Sequence, residues 1–228
     1  MSAEILKRLL PNRPVPMRVW FGPFRGAYPV MNPRHSLRKV LGLYEHELNN
    51  WIETALHCVH RVIDVGANDG YFTFGCAAAF RRLKKTGEII SIEVQDQHML
   101  KLREGFERHA DPAVRFSLVQ GYAGSELKPG FVTLDSLDTG GDRGGTLVKI
   151  DVEGAEVEVM QGALSWLDPT NFFVIEVHQE SLLAPLHALF ATRGLKLRQI
   201  NQRPLPLLGA EVRDRENWWL VSDLGEGI

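Results

Sequence analysis

With 228 residues, 44% hydrophobic and 24% charged, and a net charge of −2, the chain can bury one sizeable core and has the composition of an ordinary soluble enzyme. No apolar run reaches the ~18 residues a membrane helix requires, and the first residues lack the apolar segment of a secretion signal, so no membrane span and a cytoplasmic location are expected. Cys58 and Cys76 stand apart rather than as a C-x-x-C pair, which argues against a disulfide or a thiolate metal site.

The charge is unevenly placed. Residues 1–43 hold eight Lys/Arg and one acid, Glu4, while the rest of the chain has 18 basic and 27 acidic residues. The expected organisation is a basic arm and cover over residues 1–43 and an acidic body over residues 44–228. The arm reads as a solvated cover of that body, or as a reader of phosphate or carboxylate on a substrate. No basic run continues into the body, which disfavours nucleic acid as a partner. Residues 1–16 are amphipathic and then proline-rich, as in a loose arm. Met17 to Pro33 mixes aromatics with glycines and prolines and predicts short strands or irregular cover. Leu41 to Val59 predicts a helix with Leu48, Ile52 and Leu56 on one face.

The stretch Arg61-Val-Ile-Asp-Val-Gly-Ala-Asn-Asp-Gly70 carries the strongest local signal. Val62, Ile63 and Val65 suit a buried parallel strand. Gly66-Ala67-Asn68-Asp69-Gly70 then breaks it, and Tyr71 to Leu83 is helix-tolerant, with Arg81, Arg82, Lys84 and Lys85 at its negative end and Gly87 as its cap. Strand, glycine turn and helix are the first unit of a doubly wound α/β domain, with the turn at the carboxyl edge where ligands bind. Glu88 to Glu93 predicts the next strand. Glu93 lies 23 residues after Gly70, where an acid accepts hydrogen bonds from two ribose hydroxyls. The turn is not G-x-G-x-x-G, so a dinucleotide is disfavoured. Asp64 and Asp69 put negative charge where phosphates would sit, and suit a ligand with a cationic amine and sulfonium.

Further on, Asp96 is placed to cap a helix whose Met99, Leu102 and Phe106 form a packing stripe. Val114 to Val119 predicts a third strand, followed by Gly121-Tyr122-Ala123-Gly124, where an adenine ring fits. Gly140 to Gly145 reads as a flexible loop. Thr146 to Val152 predicts a central strand with Lys149 and Asp151 on one face. A lysine in a buried strand is expected to pair with an acid. Glu153 to Leu164 predicts a helix with Glu153, Glu156 and Glu158 at its positive end. Phe172 to His178 is a fifth strand. Ser181 then caps a helix with Leu182, Leu186, Leu189 and Phe190 inward, stopped by Gly194. Leu195 to Ile200 and Asn217 to Val221 are joined by a loop too short for a crossover helix, so this final pair is expected to be antiparallel.

Four ordered blocks resemble the FkbM family of S-adenosylmethionine-dependent methyltransferases. They are Asp64-Val-Gly-Ala-Asn-Asp-Gly70, Thr133-Leu-Asp-Ser-Leu137, Lys149-Ile-Asp-Val-Glu-Gly-Ala-Glu156 and Ile175-Glu-Val-His178, and the likeness runs from about Leu43 to Val221. The resemblance implies a Rossmann-like class I sheet, mostly parallel with an antiparallel final pair. It also implies S-adenosylmethionine as cofactor and O-methylation of a hydroxyl on a small molecule, glycan or secondary metabolite. Under that reading Asp64, Gly66, Ala67, Asn68 and Gly70 lie at the methionine end, Glu93 on the ribose, Tyr122 and Ala123 at the adenine, and Asp151 at the amino group or the acceptor.

An alcohol acceptor must lose a proton, so a base within reach assists the transfer. Asp151 and Glu153 end one strand, and Glu176 and His178 end its neighbour. His178 is the first candidate base, oriented by Glu176 or Glu153; the bland alternative is that it only positions the loop. Glu156 and Glu158 read as helix-dipole residues. Carboxylates with an imidazole also suit a divalent ion, but no ligand spacing is diagnostic, and no metal is expected. An RNA-base methyltransferase would carry an Asn/Asp-Pro-Pro-aromatic motif where Asp151-Val-Glu-Gly stands. A nicotinamide dehydrogenase is disfavoured by the turn, and a non-catalytic binding protein by Glu93 and the Asp151/Glu153/His178 cluster. The sequence leaves the acceptor and the oligomeric state open.

Overall fold

The computed structural model describes residues 10–205, 209 and 217–223. Its strands are β1 (Val15–Pro16), β2 (Val30–Met31), β3 (Arg61–Val65), β4 (Gly87–Glu93), β5 (Val114–Gln120), β6 (Tyr122–Ala123), β7 (Phe131–Val132), β8 (Thr146–Ile150), β9 (Phe172–Val177), β10 (Leu197–Ile200) and β11 (Trp218–Ser222). Seven form the central sheet in the order β10-β11-β9-β8-β3-β4-β5. The strands from β9 to β5 run parallel, and β11 pairs antiparallel with both β9 and β10. Every residue of β3, β8 and β9 is buried, as parallel strands covered on both faces must be. The doubly wound sheet and its antiparallel final pair are therefore as the sequence predicts.

One face is covered by the helices Asn49–Cys58 and Tyr71–Arg82 together with the N-terminal segment. In that segment Met17 and Val19 donate backbone hydrogen bonds to Pro29 and Ala27, making a short hairpin that buries Val19, Phe24, Ala27 and Met31. Gly75 makes room for it, because a Cβ there would collide with the Phe24 ring. The other face packs Val159, Met160, Trp166, Leu186 and Phe190 against the sheet. Among the described residues, no helix is long and apolar enough to cross a membrane.

Several local expectations are corrected. The single helix expected from Leu41 to Val59 is broken: Leu37–Leu41 ends at Gly42 in the left-handed region, Glu45 is also left-handed, and the next regular helix starts at Asn49. Leu48, Ile52 and Leu56 still share a buried face. Gly87 does not cap the 71–82 helix; it opens β4, and Lys84 takes the left-handed position at φ 56°. Asp96 is the first helical residue, and its carboxylate accepts from Gln120 instead of capping. Ser181 lies inside a short 3-10 turn and caps nothing, whereas Gly194 ends the helix at φ 71° as expected. The Gly140–Gly145 loop, expected to be flexible, has no regular structure and is anchored by Arg61, which donates to the Asp142 carbonyl. Residues 1–9 of the expected arm, and 206–208 and 210–216 of the last loop, lie outside the described residues.

Gly66 shows why the first turn needs glycine. Its φ is +75°, and a Cβ there would run into the carbonyl oxygen of Asp151 on the neighbouring strand's extension. Gly66→Ala is expected to cost about 2–4 kcal/mol from the left-handed backbone and the overlap together. Urea unfolding of the variant measures this directly.

Candidate functional site

Two cavities meet at the carboxyl edge of the parallel strands. The larger, about 330 Å³, is lined by the 66–68 turn, the end of β4 with Glu93, Val94 and Gln95, the pair Tyr122 and Ala123, and Asp151 to Glu153. Glu93 is 6% exposed, and its carboxylate is aimed by the backbone: one oxygen accepts the Asn68 N–H at 2.8 Å, the other those of Val94 at 2.9 Å and Gln95 at 2.8 Å. A carboxylate accepts about four hydrogen bonds, so capacity remains for a ligand. The wall carries three acids, Glu93, Asp151 and Glu153, and neither lysine nor arginine.

The smaller cavity, about 80 Å³, shares Gly66, Asn68 and Asp151 with the first. Its remaining wall comes largely from the N-terminal segment, through Phe24, Lys39, Tyr44, Glu45 and Leu48, and from Trp219 on β11. Lys39 lies over the rings of Tyr44 and Tyr71, at 4.9 and 5.2 Å, and 3.7 Å from Asp69. Beneath both cavities is a buried ionic floor. The Lys149 ammonium donates to the Gly66 carbonyl at 2.9 Å and to Asp151 at 3.1 Å, and lies 3.5 Å from Asp64. Burial alone would favour its neutral form, but the charges of Asp151 and Asp64 outweigh that and hold its pKa above the ordinary value. The expected lysine–acid pairing is thus present. Burial raises the Asp64 carboxyl, against the opposing pull of Lys149 and Thr73.

His178 stands just past β9. Its Nδ1 is 2.7 Å from a Glu156 carboxylate oxygen, and its Nε2 is 3.6 Å from Asp151. Glu156 is fully buried and also accepts the Gly154 N–H. Glu156 therefore accepts an Nδ1–H and orients the ring, and Nε2 faces the Asp151 carboxylate, whose charge favours the protonated imidazole. Burial is the largest single influence on the ring and lowers its pKa. The Glu156 hydrogen bond and the charges of Glu176, Asp151 and Glu156 together outweigh it, so the pKa lies above the ordinary 6.5. The orienting acid is therefore Glu156, not Glu176 or Glu153 as expected from strand alternation. The chain reaches this arrangement because Glu153, at φ 58°, and Gly154 delay the helix to Glu156–Gln161.

The other candidates are distributed as follows. Glu176 accepts from Asn217 and, with Asp151, raises the carboxyl of Glu45, whose burial is the larger cause. Asp151, Glu176 and His178 place donor atoms within 4.8 Å of one another. Glu153 is exposed at the rim of the larger cavity. Ala67 lines the smaller one. Asp64 and Gly70 line neither: Asp64 supports Lys149, and Gly70, at φ 84°, packs where a Cβ would strike Phe74. Glu45 and Glu156 are the site residues that the sequence reading missed.

Neither a protein-family model nor a curated protein matches the chain. Solved structures do. The methyltransferase FkbM from Methylobacillus flagellatus aligns at 17% identity and a TM-score of 0.56, covering 81% of this chain and 54% of that one. The chain thus spans about half the length of that structure. The fibrillarin of Aeropyrum pernix, solved with natively bound S-adenosyl-L-methionine, aligns at 14% identity and a TM-score of 0.50, covering 74% and 68%. At these identities the likeness is one of architecture, and the architecture is that of the Rossmann-like class I methyltransferases.

Proposed function

We propose that the chain is an S-adenosylmethionine-dependent methyltransferase that methylates a hydroxyl of a small molecule, sugar or secondary metabolite. The observation that carries this reading is the Glu93 carboxylate, held by three backbone N–H groups inside a 330 Å³ cavity. The donor chemistry fits the residues present. Two adjacent ribose hydroxyls match the free capacity of Glu93, Tyr122 and Ala123 supply a wall for a flat ring, and a sulfonium and an amine suit a cavity whose charged groups are acids. A pyrophosphate would meet the same acids unfavourably. When bound, the donor supplies an electrophilic methyl group. Asp151, shared by both cavities, stands between donor and acceptor, and the Asp151–His178 pair takes the acceptor's proton while Lys149 holds Asp151 in place. The 80 Å³ cavity admits the reacting group of the acceptor, with the N-terminal segment selecting what surrounds it.

No metal is required in this mechanism. The ammonium of Lys149 already neutralises Asp151, and His178 is engaged by Glu156. Turnover is expected to survive exhaustive chelation; activity lost and then restored by magnesium or manganese would recast Asp151, Glu176 and His178 as ligands. The reading as a whole is tested by calorimetry with S-adenosylmethionine and NAD, followed by turnover on a panel of hydroxylated acceptors. Binding of the first cofactor alone is expected. NAD binding, or no binding of S-adenosylmethionine, refutes it.

A further inference from the structure

The geometry points to a second binding site, on the outer side of the N-terminal segment that walls the smaller transfer cavity, for a nucleotide unit: phosphate held by arginines and a base stacked on exposed aromatics. The site is a basin of about 580 Å³ into which Arg18, Arg25, Arg81, Arg82 and Arg108 converge. Its place follows from the helices. The 71–82 helix starts at the glycine turn beside the cavities and rises about 1.5 Å per residue, so Arg82 lies about 16 Å along its axis from Tyr71. The 96–108 helix starts beside Glu93 and carries Arg108 to the same end.

Basic residues in the last turn of a helix are ordinary complements of its dipole. That accounts for Arg81, Arg82 and Arg108 singly. It does not account for Arg18 and Arg25, which a separate segment brings to the same basin. Among the described residues the only carboxylate paired with any of the five is Glu53, which holds Arg25 and Arg82. Arg18, Arg81 and Arg108 form no ion pair there. Glu53 offsets part of the charge of Arg25 and Arg82; the three unpaired guanidiniums still repel one another, and an anionic ligand relieves that cost.

The basin is also constructed. His109 is 1% exposed; its Nε2 accepts the Tyr28 N–H at 3.1 Å and its Nδ1 donates to the Gly105 carbonyl, which locks the N-terminal hairpin onto the 96–108 helix. Burial, with the charges of Arg81 and Arg108, lowers the pKa of that ring and keeps it neutral, so the positive charge is arginine's and does not titrate. Trp20 and Tyr28 line the basin while 57% and 46% exposed, and the Arg18 guanidinium lies 5.7 Å from the Trp20 ring. Guanidiniums grip phosphate bidentately, and exposed aromatic rings beside them stack bases. A concavity of this volume suits a compact ligand better than a flat lipid surface.

The experiment uses the full chain at low salt with three probes: UDP, a fluorescein-labelled octauridylate and inorganic pyrophosphate. All three are expected to bind, more weakly as salt rises. Arg108→Glu should weaken each by about tenfold or more, and Trp20→Ala should weaken UDP and the oligonucleotide while sparing pyrophosphate. Thermal melting of both variants checks the fold, and no readout depends on methyl transfer. Tighter binding of the oligonucleotide identifies a nucleic-acid strand as the source, and tighter binding of UDP a free nucleotide; either supports the site. Absence of binding, binding indifferent to Arg108→Glu, or capture of phosphatidylglycerol vesicles without nucleotide binding overturns it.

Discussion

His178→Ala is expected to lower kcat by about 10²–10⁴ while leaving methyl-donor affinity nearly unchanged. The ring lies against Asp151 and Glu156 and lines neither cavity, so its loss acts on proton transfer through Asp151 and spares donor contacts. A base works only when neutral. Because the His178 pKa is raised above 6.5, the wild-type rate should fall as pH drops through a value higher than that of a free imidazole, and the variant should lose this limb. Stability runs the opposite way. A group with a raised folded pKa contributes fully below its unfolded value and loses that contribution as pH rises through the folded one. The His178 contribution to stability, measured by unfolding wild type and variant in parallel, should therefore be larger at pH 5 than at pH 9. An unchanged acidic limb in the variant would reduce His178 to a structural role. A loss of less than tenfold would assign the base to Asp151, for which Asp151→Asn is the decisive variant.

Glu93→Ala is expected to weaken S-adenosylmethionine binding by tenfold or more in calorimetry. Each charge-assisted hydrogen bond to a ribose hydroxyl is worth about 1.5–3 kcal/mol before water compensates. The truncation also strips the N–H groups of Asn68, Val94 and Gln95 of their acceptor, so the turn itself loosens. Glu93→Gln separates the two effects: it keeps a side-chain oxygen for part of the backbone set but removes the charge. Wild-type affinity in Glu93→Ala would sink the assignment of this cavity to the donor.

The parallel strands were readable because burial on both faces favours β-branched runs, and Val62 to Val65 and Ile89 to Ile92 supply them apart from the single polar residues Asp64 and Ser91. The antiparallel end was readable from a connection too short to cross over. The lysine at 149 was readable as a paired cation because a lone one is too costly in a buried strand. Three of the misses share a cause: a left-handed residue that is not glycine. Lys84, Glu45 and Glu153 adopt that region, and no propensity at those positions announces it. Each miss displaced something functional or structural. The break at Glu45 turns a carboxylate into the smaller cavity that a continuous helix would have hidden. The kink at Glu153 frees Glu156 from an ordinary helix-end role and seats it under His178.

Strand β11 has a consequence for how the protein is made. It lies between β9 and β10, so an interior position of the sheet is filled by the later of the paired segments. As the chain leaves the ribosome, β10 has no neighbour in the sheet, and β9 keeps an open edge, until Trp218 to Ser222 follow. At ordinary elongation rates of about 5–20 residues per second, the stretch between Ile200 and Trp218 is a pause of about one to a few seconds. During that pause the hydrophobic run Phe172 to Val177 is an unpaired edge open to other chains or to chaperones. When β11 arrives it closes more than the sheet: Trp51 donates to the Ser222 carbonyl, Asn217 to Glu176, and Trp219 completes the smaller cavity. The sheet edge and the wall of the smaller cavity are therefore completed at the same moment of synthesis.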